Sequence, residues 1–174
     1  MAKVAFSKLG LKLNTEVKTV NFNEQTIEVK QYLPVNDKLE LISNVINFSA
    51  DDNNFANPVK IAIFTTLEIL YNYTNLTFTE KQKEDPAKLF DLVISTGLVK
   101  EVVNAMDETE YDDLLSAIQR SVDAVYSYRN SVFGILDSIT TDYSNLNLDA
   151  TNIQKALADP ENMDLLKQVL TKLG

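Results

Sequence analysis

Apolar and polar residues alternate along Val17-Lys-Thr-Val-Asn-Phe22 and again along Thr26-Ile-Glu-Val-Lys-Gln-Tyr32, on either side of Asn23-Glu24-Gln25. A period of two places every second side chain of an extended strand on one face, so residues 15–32 are predicted to form a β-hairpin with one buried face. Leu33-Pro34 ends that pattern, and the period changes. Pro34 with Asn36-Asp37 opens a run in which Leu39, Ile42, Val45 and Ile46 recur at helical spacing, which predicts a first helix over residues 35–47.

Residues 49–57 are polar, with Asp51, Asp52, Asn53 and Asn54 in a row, and read as an exposed loop. Asn57-Pro58 then offers a cap and a favoured first helical residue for a helix from Val59 to about Tyr73. This second helix is apolar on most sides and is expected to be central to the core. Thr79-Glu-Lys-Gln82 has capping-box spacing, Asp85-Pro86 repeats the cap-plus-proline signal, and Gly97 closes the helix that follows. A short segment, Leu98 to Ala105, leads to Asp107-Glu-Thr-Glu110, whose carboxylates suit the positive end of a helix dipole.

From there to about Thr140 no proline intervenes. Leu115, Ile118, Val122, Val125, Phe133, Leu136 and Ile139 keep a seam, and Gly134 weakens the run without breaking it, so one long helix is predicted over about residues 109–140. Two short helices are signalled beyond it, by Asp149-Ala-Thr-Asn and by Asp159-Pro160-Glu161. The fold class is therefore mainly α: an N-terminal β-hairpin followed by a compact bundle of six to seven helices. A single domain over residues 1–174 is expected, with 1–14 as a flexible arm, 35–140 as the helical body and 149–173 as a C-terminal helical pair. No repeat of fixed length is present.

Composition adds exclusions. The 174 residues contain no Cys and no His, which removes thiol nucleophiles, disulfides, zinc–thiolate sites and imidazole bases. Met1 to Leu13 spreads Lys3, Lys8 and Lys12 among apolar residues, so it lacks the uninterrupted apolar stretch of a secretion signal, and no run approaches the roughly 20 apolar residues of a membrane span. A soluble intracellular protein is expected. Net charge is −9, and the carboxylates concentrate beyond residue 100. An acidic field repels phosphate backbones and anionic lipid, which argues against nucleic-acid or membrane binding and fits a basic protein partner or simply solvated helix faces.

Few constellations suggest chemistry. Asp51 to Asn54 lacks the alternating ligands, turn glycine and distal glutamate of a helical calcium loop. Glu108, Glu110, Asp112 and Asp113 could pair as catalytic acids, but a helix start accounts for them. Glycine-rich phosphate loops and nucleophile elbows are missing, since Gly10, Gly97, Gly134 and Gly174 are far apart. The expectation is a non-enzymatic, cofactor-free, metal-free protein. Tyr126, Tyr128 and Arg129 combine tyrosine with one of only two arginines, the composition favoured at the centres of protein interfaces, although Arg129 could equally pair within the chain. Leu166, Val169, Leu170 and Leu173 form a second candidate interface stripe that would equally suit a core.

The stretch Gln25-Thr-Ile-Glu-Val-Lys-Gln-Tyr-Leu-Pro-Val-Asn-Asp-Lys-Leu-Glu-Leu-Ile42, with Phe78-Thr-Glu-Lys-Gln-Lys-Glu-Asp-Pro-Ala-Lys-Leu-Phe-Asp-Leu92, resembles small tail-gene proteins of phages of low-GC Gram-positive bacteria, the tail assembly chaperones of long-tailed phages. The resemblance extends to the order of elements over residues 15–130. It implies a protein that acts in the host cytoplasm on the tape-measure and tail-tube proteins, is absent from the finished virion, and has no catalytic or cofactor residues. A homo-oligomer is compatible with it. The carboxy-terminal helices depart from that pattern and would suit a structural virion component, such as a head–tail connector or other ring protein. A compact acidic protein would also suit a phage inhibitor of a host defence protein.

Overall fold

The computed structural model describes residues 3–51, 55–132, 134 and 136. The chain divides after Ser127 into two compact units, Met1–Ser127 and Tyr128–Gly174. The first holds the hairpin, β1 (Val17–Phe22) and β2 (Gln25–Lys30), then α1 (Val35–Phe48), α2 (Pro58–Tyr73), α3 (Glu80–Lys83), α4 (Pro86–Ser95) and α5 (Leu98–Ala105). The longest helix, α6 (Glu108–Arg129), runs to the boundary and just past it. Among the described residues, then, the predicted hairpin is followed by six helices, one of them long. No helix among them is long and apolar enough to cross a membrane.

The hairpin turns on two residues. Asn23 and Glu24 have φ of 47° and 64°, the left-handed pair of a type I′ turn whose twist matches that of the flanking strands. Gln25 pairs with Phe22 and belongs to β2, so the turn is one residue shorter than its polar triplet suggests. Val20 lies opposite Ile27, and the alternation buries Ile27 and Val29 while Thr26, Glu28 and Lys30 face solvent. The far edge of β2 is not open. Val29 bridges to Thr74 just after α2, and Asn75 takes both main-chain groups of Glu28: its N–H donates to Glu28 O at 3.3 Å, and its Oδ1 accepts from Glu28 N at 3.1 Å.

Local caps set most helix starts. Asn57 Oδ1 accepts from Val59 N and Lys60 N at 3.0 and 3.2 Å, with Pro58 at the first helical position. Thr79 and Gln82 form the predicted capping box, Asp85 Oδ1 accepts from Lys88 N, and Asp107 Oδ1 accepts from Glu110 N. Gly97, at φ 80°, stands between α4 and α5, the left-handed conformation that glycine adopts without steric cost. The segment from Leu98 to Ala105, which carries no capping side chain of its own, is helical as α5.

Burial inside the unit follows the elements. Ile27, Val29 and Leu33 from the hairpin meet Leu41, Val45 and Ile46 of α1, Leu67, Leu70 and Tyr73 of α2, and Leu89, Val93 and Val102 from α4 and α5. On α6 the buried seam is Glu110, Leu114, Ile118, Val122 and Tyr126. It is rotated from the predicted one, because a strict step of four, one position off Leu115 and Val125, is what faces the core; those two are only half-buried.

The predicted long helix also ends early. Ser131 N donates to Tyr128 O at 2.9 Å, and Ser131 Oγ accepts from Gly134 N at 3.1 Å, the pattern of a helix N-cap. Asn130-Ser131 therefore carries a stop and a restart that the apolar spacing alone did not reveal. A side chain on Gly134 would overlap the Tyr128 carbonyl, so the close return of the chain at this point requires glycine.

Candidate protein-binding surface

One face of α2 is only partly covered among the described residues. Phe64, Glu68 and Tyr71 stand at i, i+4 and i+7 on a single stripe, and that stripe floors a groove of about 800 Å³. Phe48, the last residue of α1, stacks on Phe64 with ring centroids 5.3 Å apart. Phe78, between α2 and α3, meets Tyr71 edge-on at 4.9 Å. Lys83 Nζ lies 6.0 Å from the Tyr71 ring centroid, and Glu84 completes the rim. The volume falls within the range of roughly 300–1,000 Å³ that ligand pockets occupy.

Glu68 is the chemical centre of this groove. It is only 7% exposed, yet its carboxylate is held: Asn44 Nδ2 donates to Oε1 at 3.2 Å and Asn72 Nδ2 donates to Oε2 at 3.0 Å. Burial among aromatic rings pushes its pKa above the ordinary carboxylate value, and the two asparagine amides partly offset that rise. A carboxylate inside an aromatic enclosure attracts an ammonium or guanidinium group by both charge and ring quadrupole. The arrangement is one for binding a cationic side chain flanked by apolar ones.

A second feature precedes the hairpin. Val4, Phe6, Leu9, Leu11 and Leu13 are 71%, 75%, 54%, 68% and 62% exposed. Five large apolar side chains within ten positions are bare, and a 3-10 turn at Phe6–Leu9 ending on Gly10 at φ 60° shapes the segment. Lys3, Lys8 and Lys12 lie among them, with no acid before Glu16. Isolated exposed hydrophobics are ordinary, but a contiguous set of this size marks a contact surface.

Tyr126 and Tyr128, side by side in the sequence reading, have different environments. Tyr126 is 5% exposed, and its hydroxyl donates to Ile46 O at 3.0 Å and lies 3.3 Å from Ser49 Oγ. It packs in the core of the first unit. Tyr128 is 54% exposed, and Arg129 is half-buried; both belong to the second unit. Leu166, Val169, Leu170 and Leu173 lie outside the described residues. Asp51 Oδ1 accepts from Phe55 N at 2.8 Å. Glu108, Asp112 and Asp113 are exposed on the first turns of α6, while Glu110 is buried in an ion pair described below.

The groove was missed by the sequence reading. Its one signal was Glu68 itself, the sole carboxylate of α2. Phe64 and Tyr71 were legible as apolar helix positions, but not as a face that no other described element covers fully. No family, curated protein or solved structure matches the chain.

Proposed function

We propose that this chain is a non-enzymatic, protein-binding assembly factor, and specifically a tail assembly chaperone that acts in the host cytoplasm on the tape-measure and tail-tube proteins of a long-tailed phage. The binding role rests on one observation, the bare apolar segment Val4 to Leu13 together with an aromatic groove built around Glu68. Surfaces of this kind recognise polypeptide: apolar side chains fill the groove, and a buried charge selects a cationic residue. Hydrogen bonding of Glu68 by two amides favours a carboxylate held in place for recognition over one free to exchange protons with a substrate. The phage role rests on the resemblance over Gln25–Ile42 and Phe78–Leu92.

A permanent structural role in the virion, as a connector or other ring component, is the second reading. It is favoured by the presence on one chain of both a basic apolar segment and an acid-centred groove, the two halves of a repeating contact. Affinity capture of the tagged protein from infected cells, with a parallel search of purified particles, separates the two. Recovery of tape-measure and tube proteins with none of this chain in particles supports the chaperone. Stable presence in particles overturns it in favour of the structural role.

A further inference from the structure

We propose that the basic apolar segment of residues 3–13 of one copy seats in the aromatic groove around Glu68 of a second copy. The proposal extends the protein-binding reading by naming a partner, this chain itself. Three observations carry it.

Among the described residues, the segment finds no cover. Phe6 is the most exposed of the large hydrophobics among the described residues, and Val4, Leu11 and Leu13 are also largely exposed. Among the described residues the groove is lined by positions between Asn44 and Pro86, with nothing from the segment among them. Among its described residues, each chain thus presents an uncovered apolar ligand and a separate apolar receptor.

Charge is complementary and lopsided. Residues 1–15 carry three lysines and no carboxylate, so against a total of −9 the rest of the chain carries −12. The groove presents Glu68 at its floor and Glu84 at its rim, and the lining Lys83 is engaged outward by Glu80 at 3.2 Å, so two carboxylates face one already paired cation. A lysine between large apolar residues, as in Phe6-Ser7-Lys8-Leu9, is the sequence that this groove would accept: rings against rings and an ammonium against a carboxylate inside an aromatic wall. The match is between two parts of the same chain, which favours a second copy over an unrelated partner.

The contact is heterologous, ligand on one copy and receptor on the next. Such a contact propagates until rotation closes it into a ring, and otherwise gives an open string.

Sedimentation velocity on the full-length protein tests the proposal. Wild type is expected to sediment as a concentration-dependent assembly that weakens as salt is raised, because the lysine–glutamate attraction is screened. Phe6→Asp/Leu11→Asp removes the ligand and leaves the groove. Phe48→Asp removes a rim ring that is 56% exposed and leaves the segment; Glu84→Lys, at an exposed position, reverses the rim charge without touching the core. Circular dichroism confirms that each is folded, and if Phe48→Asp is not, Glu84→Lys alone stands as the groove variant. Each variant by itself is expected to be a monomer. A mixture of ligand-deficient and groove-deficient chains is expected to give a one-to-one heterodimer, since one intact ligand and one intact groove remain. A monomeric wild type, or folded variants that assemble like wild type, overturns docking between copies. Neither result touches the chaperone reading, whose capture experiment concerns other proteins.

Discussion

The Tyr73 hydroxyl donates to Glu110 Oε1 at 2.7 Å, tying the last residue of α2 to the first turn of α6. The same oxygen accepts from Leu33 N at 3.0 Å, at the exit of the hairpin, and Oε2 takes Lys38 Nζ of α1 at 2.7 Å. Four segments thus converge on one carboxylate that is 7% exposed. Burial first, and the Glu110 carboxylate second, push the Tyr73 phenol well above its ordinary value, so it stays a hydrogen donor at any working pH. A buried carboxylate that accepts from a main-chain N–H, a phenol and an ammonium ties those segments together, because a buried donor left without an acceptor is costly.

Removing that carboxylate leaves three donors without an acceptor. Glu110→Ala is expected to lower the unfolding free energy by about 3 kcal/mol, at the low end for a broken buried pair because Lys38 is partly solvated and can rehydrate. Glu110→Gln keeps one acceptor and is expected to cost about 2 kcal/mol. Urea denaturation followed by circular dichroism measures both. A cost below about 1 kcal/mol for the alanine variant would show that the network does not organise the fold.

Tyr126 distinguishes core from interface. Its hydroxyl is bonded to Ile46 O, and the ring is buried. Tyr126→Phe is expected to cost about 1 kcal/mol, and Tyr126→Ala about 3–5 kcal/mol through the cavity it leaves. Unchanged stability in the alanine variant, with binding lost instead, would return the residue to the interface that its sequence neighbours suggest.

Glu68 makes stability depend on pH. Its unfolded value is 4.5 and its folded value is higher, chiefly through burial. Folding therefore favours the protonated acid: this contribution is fully present below pH 4.5 and is lost as pH rises through the folded value. Glu68→Gln, which stays neutral and keeps one acceptor for the two asparagine amides, should rise in stability relative to wild type as pH is raised from about 4 to about 7. Thermal melts of both proteins across that range check the sign, and a constant difference would refute it.

The Asn57 cap closes the N-terminus of α2, the helix that supplies both core and groove. Asn57→Ala frees the N–H groups of Val59 and Lys60 and is expected to cost about 1 kcal/mol, while Asn57→Asp keeps an acceptor there and should be nearly neutral. Chemical denaturation of the two variants decides between a working cap and one replaced by water.

What the sequence determined by itself is local. The hairpin is legible because a period of two and an Asn-Glu turn are properties of adjacent residues; α1 begins directly after Pro34, and α2 and α4 begin where a capping side chain and a proline act within a few positions. The absence of Cys and His likewise limits the chemistry before any fold is considered. Tertiary structure decided what depends on neighbours distant in the chain. It chose Leu114 and Tyr126 over Leu115 and Val125 for the α6 seam, because the core admits one face of a helix and the apolar pattern offered two. It set Glu110 apart from Glu108, Asp112 and Asp113, since only at position 110 do Leu33, Lys38 and Tyr73 meet the carboxylate. It also left Phe64, Glu68 and Tyr71 facing a groove. Periodicity says which residues share a side of a helix, but only packing says whether another element covers that side.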